Sequence, residues 1–75
     1  MTYYLLVFSR RRGELVRDIE EFEDHRVAMV ERLRLELENK GNPDLEIVVL
    51  GAESREAMEN THSRYFGLAN VLDRI

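Results

Sequence analysis

Along this chain the hydrophobic positions form two strand-like runs and two series at helical spacing. The first run, Tyr3-Tyr4-Leu5-Leu6-Val7-Phe8, has no polar member on either parity. A strand sends alternate side chains to opposite faces, so this run predicts a strand shielded from water on both faces, in the middle of a sheet. The second run, Leu45 to Leu50, is interrupted only by Glu46. Between Ser9 and Glu14 lies a polar insert, Arg10-Arg11-Arg12-Gly13, whose glycine can take the left-handed conformation that closes a hairpin. The return arm, Glu14 to Glu20, alternates only in part and suits an edge. A three-residue tip puts Leu15 and Ile19 on the side of Leu5 and Val7, a four-residue tip beside Tyr4, Leu6 and Phe8. The second register makes the stronger apolar face and is preferred.

After Phe22 the period changes. Asp24 is placed to cap a helix running to about Lys40, with Met29, Val30, Leu33 and Leu37 on one face and Arg26 and Lys40 beside them. Val27, Ala28 and Leu35 lie off that stripe and form a smaller strip that can meet another helix or a second subunit. Gly41-Asn42-Pro43-Asp44 stops the helix, because glycine favours the C-terminal turn and proline forces its predecessor out of helical angles. Strand, helix and strand then make a crossover unit, so the third strand runs in the direction of the second. Ser54, or Glu53, caps a final helix on which Ala57, Met58, Thr61 and Tyr65 share a face, His62 and Phe66 lie on its flank, and Gly67 marks a break before a further turn or two.

These elements predict a single α+β domain over residues 1–75: a ββαβα chain with a three-stranded mixed sheet, order 2-1-3, and two helices on one face. The other face of the sheet then lacks cover. Seventy-five residues barely offset the chain entropy lost on folding, and the absence of cysteine removes disulfides and thiolate-bound zinc as staples. A homodimer is the expected remedy.

Charge narrows the functional classes. Fifteen acidic and 11 basic residues give a net charge of −4, a balance unlike that of a dedicated nucleic-acid binder. No apolar stretch reaches the roughly 18 residues of a membrane span, and a cytoplasmic, soluble protein is expected. The basic residues nonetheless gather locally in Arg10, Arg11 and Arg12, which at a hairpin tip can reach phosphates. Thr61-His62-Ser63-Arg64-Tyr65 places a hydroxyl, an imidazole, a guanidinium and a phenol together. Arg64 and His62 could contact an anion, although burial of Tyr65 with Arg64 in solvent explains the same pattern. Glu59 and His62 are spaced as in carboxylate-bridged metal sites, but those sites need a second such pair. His25 beside Asp24 reads as an acidic helix start. No nucleophile elbow, phosphate loop or histidine pair appears, so no catalytic, metal or cofactor residue is assigned and the chain is expected not to be an enzyme. The candidate binding residues are Arg10, Arg11, Arg12, His62 and Arg64. The expected function is a small non-enzymatic interaction module acting as a homodimer; the alternative is a nucleic-acid-associated accessory protein that uses the Arg10–Arg12 tip.

Overall fold

The computed structural model describes residues 1–66. Strand β1 (Thr2–Ser9) is the centre of the sheet. On one side it pairs with β2 (Glu14–Leu15) and β3 (Glu20–Phe22), on the other with β4 (Leu45–Ala52). The helices are α1 (His25–Glu38) and α2 (Arg55–Thr61), the latter followed by a 3₁₀ turn, Ser63–Phe66. The α+β class and the ββαβα order are those expected, with the return arm divided into β2 and β3. The tip has four residues, because Ser9 pairs with Glu14 and Phe8 with Leu15, and Leu15 and Ile19 pack with Tyr4, Leu6 and Phe8. Between β2 and β3 the register slips by two: Phe8 faces Leu15, but Leu5 faces Glu20. An even slip keeps every side chain on its own face, and Phe22 still lies opposite Tyr3.

Three expectations are corrected. The third lane does run in the direction of the return arm, but β1 lies between them and every pairing is antiparallel, so the sheet is not mixed. The helices do not share a face. Tyr4, Leu6 and Phe8 form a core with Met58 and Tyr65 on the α2 side, and Leu5, Val7 and Ile47 form another with Leu35 on the α1 side. The cause is β1 itself: apolar on both parities, it offers each helix a face. The chain therefore covers both sides of its own sheet.

The third correction concerns which face of α1 is inside. Ala28 and Leu35 are buried, while Val30, Leu33 and Leu37 are 69, 56 and 64 % exposed. Apolar residues occur nearly all round this helix, so periodicity alone selects no side. Seating by Ala28, fully buried, lets the backbone come close to the sheet. The caps are as expected: Asp24 Oδ1 accepts from the Arg26 amide at 2.8 Å, Ser54 Oγ accepts from the Ala57 amide at 3.1 Å, and Gly41 takes φ +90°. On α2 only Met58 of the expected face is buried; Ala57 and Thr61 are exposed, because the helix ends at Thr61 and Tyr65 reaches the core from the 3₁₀ turn. The expected break at Gly67 lies outside the described residues.

Candidate functional site

The chemically distinctive side chains meet at one corner, where the hairpin tip, the start of β4 and the 3₁₀ turn come together. Glu46 sits opposite Phe8 on the α2 face of the sheet. A carboxylate within an apolar strand must find donors, and three residues supply them. Tyr65 donates its hydroxyl to Glu46 Oε2 at 2.6 Å, Arg64 Nη2 donates to the same oxygen at 2.6 Å, and Arg10 Nε lies 3.5 Å from Oε1. The Tyr65 ring meets Phe8 edge-on, centroids 5.1 Å apart at 82°, and the Arg64 guanidinium lies 4.3 Å from the Tyr65 ring centre. The Tyr65 hydroxyl, followed by the bond and charge of Arg64, holds the Glu46 carboxyl below its ordinary pKa against the opposing effect of burial. Burial, then the Glu46 hydrogen bond, raises the Tyr65 phenol.

Above this corner the arginine tip is organised by Asp44. Its carboxylate accepts from Ser9 Oγ at 2.7 Å and from the Arg11 amide at 2.7 Å, and Ser9 Oγ accepts from the Arg12 amide at 3.1 Å. The Arg10 amide continues the ladder to the Asp44 carbonyl at 2.8 Å. Gly13, at φ +68°, returns its amide to the Ser9 carbonyl at 2.8 Å. The Ser9 hydroxyl and the Arg11 amide together hold the Asp44 carboxyl low. The tip is thus a loop fixed by buried Ser9 and by Asp44.

Of the candidate residues, Arg10 and Arg64 are brought together on Glu46, and Arg10 Nη1 also donates to the Pro43 carbonyl at 2.6 Å. Arg12 pairs with Glu14 at 2.6 Å. The Arg11 guanidinium has no partner among the described residues. His62 does not join this corner: it ends α2, donating its amide to the Met58 carbonyl at 2.9 Å, and its imidazole makes no hydrogen bond among the described residues. Glu59 is engaged by Arg55 at 2.9 Å, one turn from His62. His25 rests against Tyr3, ring centres 5.0 Å apart. Among the described residues no three side chains cluster as metal ligands. Arg10, Arg64 and Tyr65 all converge on Glu46, so this corner joins three segments of chain. Sequence reasoning passed over Asp44 and Glu46. The available signal was Glu46 itself, one charge on the Phe8 parity of an otherwise apolar run.

A second surface is apolar. Val30, Leu33 and Leu37 line the outer side of α1, Val27 is 53 % exposed beside them, and a shallow groove runs along Met29, Arg32, Leu33 and Glu36. No helix among the described residues is long and apolar enough to cross a membrane. The chain matches no family model, and neither curated proteins nor solved structures give a significant match.

Proposed function

We infer that this chain is a small protein-interaction module that works as a homodimer and carries out no chemistry of its own. The observation that carries the reading is the outer side of α1. Four large aliphatic residues, Val27, Val30, Leu33 and Leu37, stay more than half exposed on one helix. Scattered apolar residues are ordinary on a protein surface, but a contiguous strip on a chain this small marks a contact region. Uncovered sheet faces no longer contribute, since the two helices hide both. Several of the polar residues that could have served as a site are tied to one another: Arg10, Arg64 and Tyr65 to Glu46, and Ser9 with the tip backbone to Asp44.

Sedimentation velocity of the full chain at micromolar concentration tests the reading. A species of twice the 8.9 kDa chain mass is expected, and a stable monomer refutes it. Salt-sensitive binding to a DNA or RNA duplex, lost when Arg10, Arg11 and Arg12 become alanine, would move the function to the hairpin tip instead.

A further inference from the structure

We propose that two copies of this chain join through the edge of β4 that pairs with no strand among the described residues, in antiparallel register about a two-fold axis beside Val48, so that their sheets become one; this rests on the homodimer reading above. The first argument is the contrast between the two sheet edges. The return-arm edge is blunted in the usual ways: β2 has two residues and β3 three, a register slip separates them, and Arg17, Asp18, Glu20 and Glu21 stud it with charge. Strand β4 has eight residues paired without interruption to β1, with no proline and no lysine. Its one charge, Glu46, is turned onto Tyr65 and Arg64. A long apolar edge of this kind pairs with another strand wherever one is offered.

The second argument is shape. The chain measures 39 × 31 × 14 Å. A helix on each face of a sheet needs roughly 20 Å between helix axes, so the thin direction runs across the three lanes, about 10 Å from outer backbone to outer backbone. The molecule is a slab three strands deep in the hydrogen-bonding direction. One of its broad sides presents β4, and there the groove of α1 also opens: Glu36 and Asn39 line a hollow with Leu45 and Ile47, and Arg32, Leu33 and Met29 continue it.

Backbone direction then selects the register. The Val16 amide donates to the Val7 carbonyl at 2.9 Å, so the main chain of Val7 faces the return arm. In an antiparallel ladder its opposite residue, Ile47, must face the other way. The amides and carbonyls of Ile47, Val49 and Gly51 therefore point out of the free edge. Ile47 of one copy opposite Val49 of the other, with Leu45 opposite Gly51, uses these groups and sets the axis at Val48. The same axis serves α1. His25 lies by Tyr3, whose strand partner is Gly51, and Asn39 lies by Leu45, so the middle of the helix is level with Val48. A two-fold normal to the sheet keeps both copies of α1 on one side, antiparallel, with Leu33 near the axis. Arg32 of each copy then comes within reach of Glu36 of the other. Arg32 Nη2 donates to Glu36 Oε1 of its own chain at 3.4 Å, while the buried Arg32 Nε makes no hydrogen bond among the described residues.

The test is Val49→Pro. Proline there removes an outward amide and no bond to β1, a substitution an edge strand tolerates. The expected result is a folded monomer, with the dissociation constant raised about tenfold or more over wild type by sedimentation. Wild-type protein that is monomeric sinks the homodimer reading altogether; a wild-type dimer that survives Val49→Pro with its circular dichroism unchanged sinks only the β4 assignment. Should Val49→Pro fail to fold, amide exchange of the wild type decides. Protection at Ile47, Val49 and Gly51 that fades on dilution supports the pairing. Absence of protection overturns it, and so does protection independent of concentration. A charge swap checks the helices: Glu36→Arg weakens the dimer and Arg32→Glu/Glu36→Arg restores it, whereas equal dimerisation of all three proteins overturns the placement of the axis.

Discussion

Replacing Tyr65 with phenylalanine removes the hydroxyl that closes the polar corner, which donates to Glu46 and accepts from Arg64 Nη2 at 3.1 Å. The ring keeps its edge-on contact with Phe8 at 5.1 Å, so packing is preserved and only the hydroxyl leaves. That hydroxyl donates at 2.6 Å to a carboxylate whose side chain is 16 % exposed. Hydrogen bonds to charged groups contribute about 1.5–3 kcal/mol. Glu46 retains Arg64 and Arg10 after the change, and its residual access to water softens the loss. A destabilisation of about 1–2 kcal/mol at neutral pH follows, equivalent to a fall in Tm of very roughly 4–16 °C for a chain this size.

The same bond makes a second, independent demand. Glu46 titrates below its ordinary value, first because of Tyr65 and then because of Arg64. A carboxylate depressed in the folded state adds stability above the unfolded pKa, near 4.5, and that stability disappears as pH falls through the folded value. Asp44 and Glu31 are also held low and add to the acid loss of both proteins. The informative quantity is therefore the difference between Tyr65→Phe and wild type. Urea denaturation followed by circular dichroism at pH 7 and pH 3 supplies it. The gap is expected to narrow at the lower pH, since protonated Glu46 has less to lose from the missing donor. A gap that is absent at pH 7, or that widens on acidification, refutes the account of the corner.

Three further outcomes follow from the fold. Leu35→Ala opens space in the α1 core and costs about 2–4 kcal/mol, whereas Leu37→Ala, on the outer side, leaves monomer stability within about 0.5 kcal/mol; urea midpoints of dilute protein compare them. Gly41→Ala costs about 1 kcal/mol through its backbone alone, because φ is +90° and no atom crowds the new methyl group; Tm reads this directly. Asp44→Ala releases the arginine tip, and the Arg11 amide is expected to exchange markedly faster with deuterium while amides at mid-β1 keep their protection.

How far the fold was legible depends on what each residue demands locally. Asp24, Ser54, Gly13 and Gly41 act within a few residues of themselves, and the caps and turns they imply are found in place. The hairpin register was also open to reading, because only a four-residue tip brings Leu15 and Ile19 to the more apolar face of β1. The inner face of α1 was not. Val30, Leu33 and Leu37 offer more apolar bulk than Ala28 and Leu35, and the choice turns on how closely a helix backbone can approach Leu5 and Val7, a tertiary quantity. Arg10 and Arg64 were visible as cations, but their common partner Glu46 is 36 and 18 residues away and no local pattern joins them.

Those errors share a physical origin, and it bears on assembly. A strand apolar on both parities requires cover on two faces, and the reading that set both helices on one face assigned the missing cover to a second subunit. The chain supplies that cover itself, and to do so it divides its two helices between the faces of a sheet only three lanes wide. Among the described residues, a sandwich so divided leaves the outer edges of its outer lanes unpaired. The return arm is short, broken and charged, whereas β4 is long and continuous. The apolar surface that stays exposed is thereby found on the outer side of α1, at Val27, Val30, Leu33 and Leu37. For a chain this thin, adding a second copy at the β4 edge deepens the layer without disturbing either core.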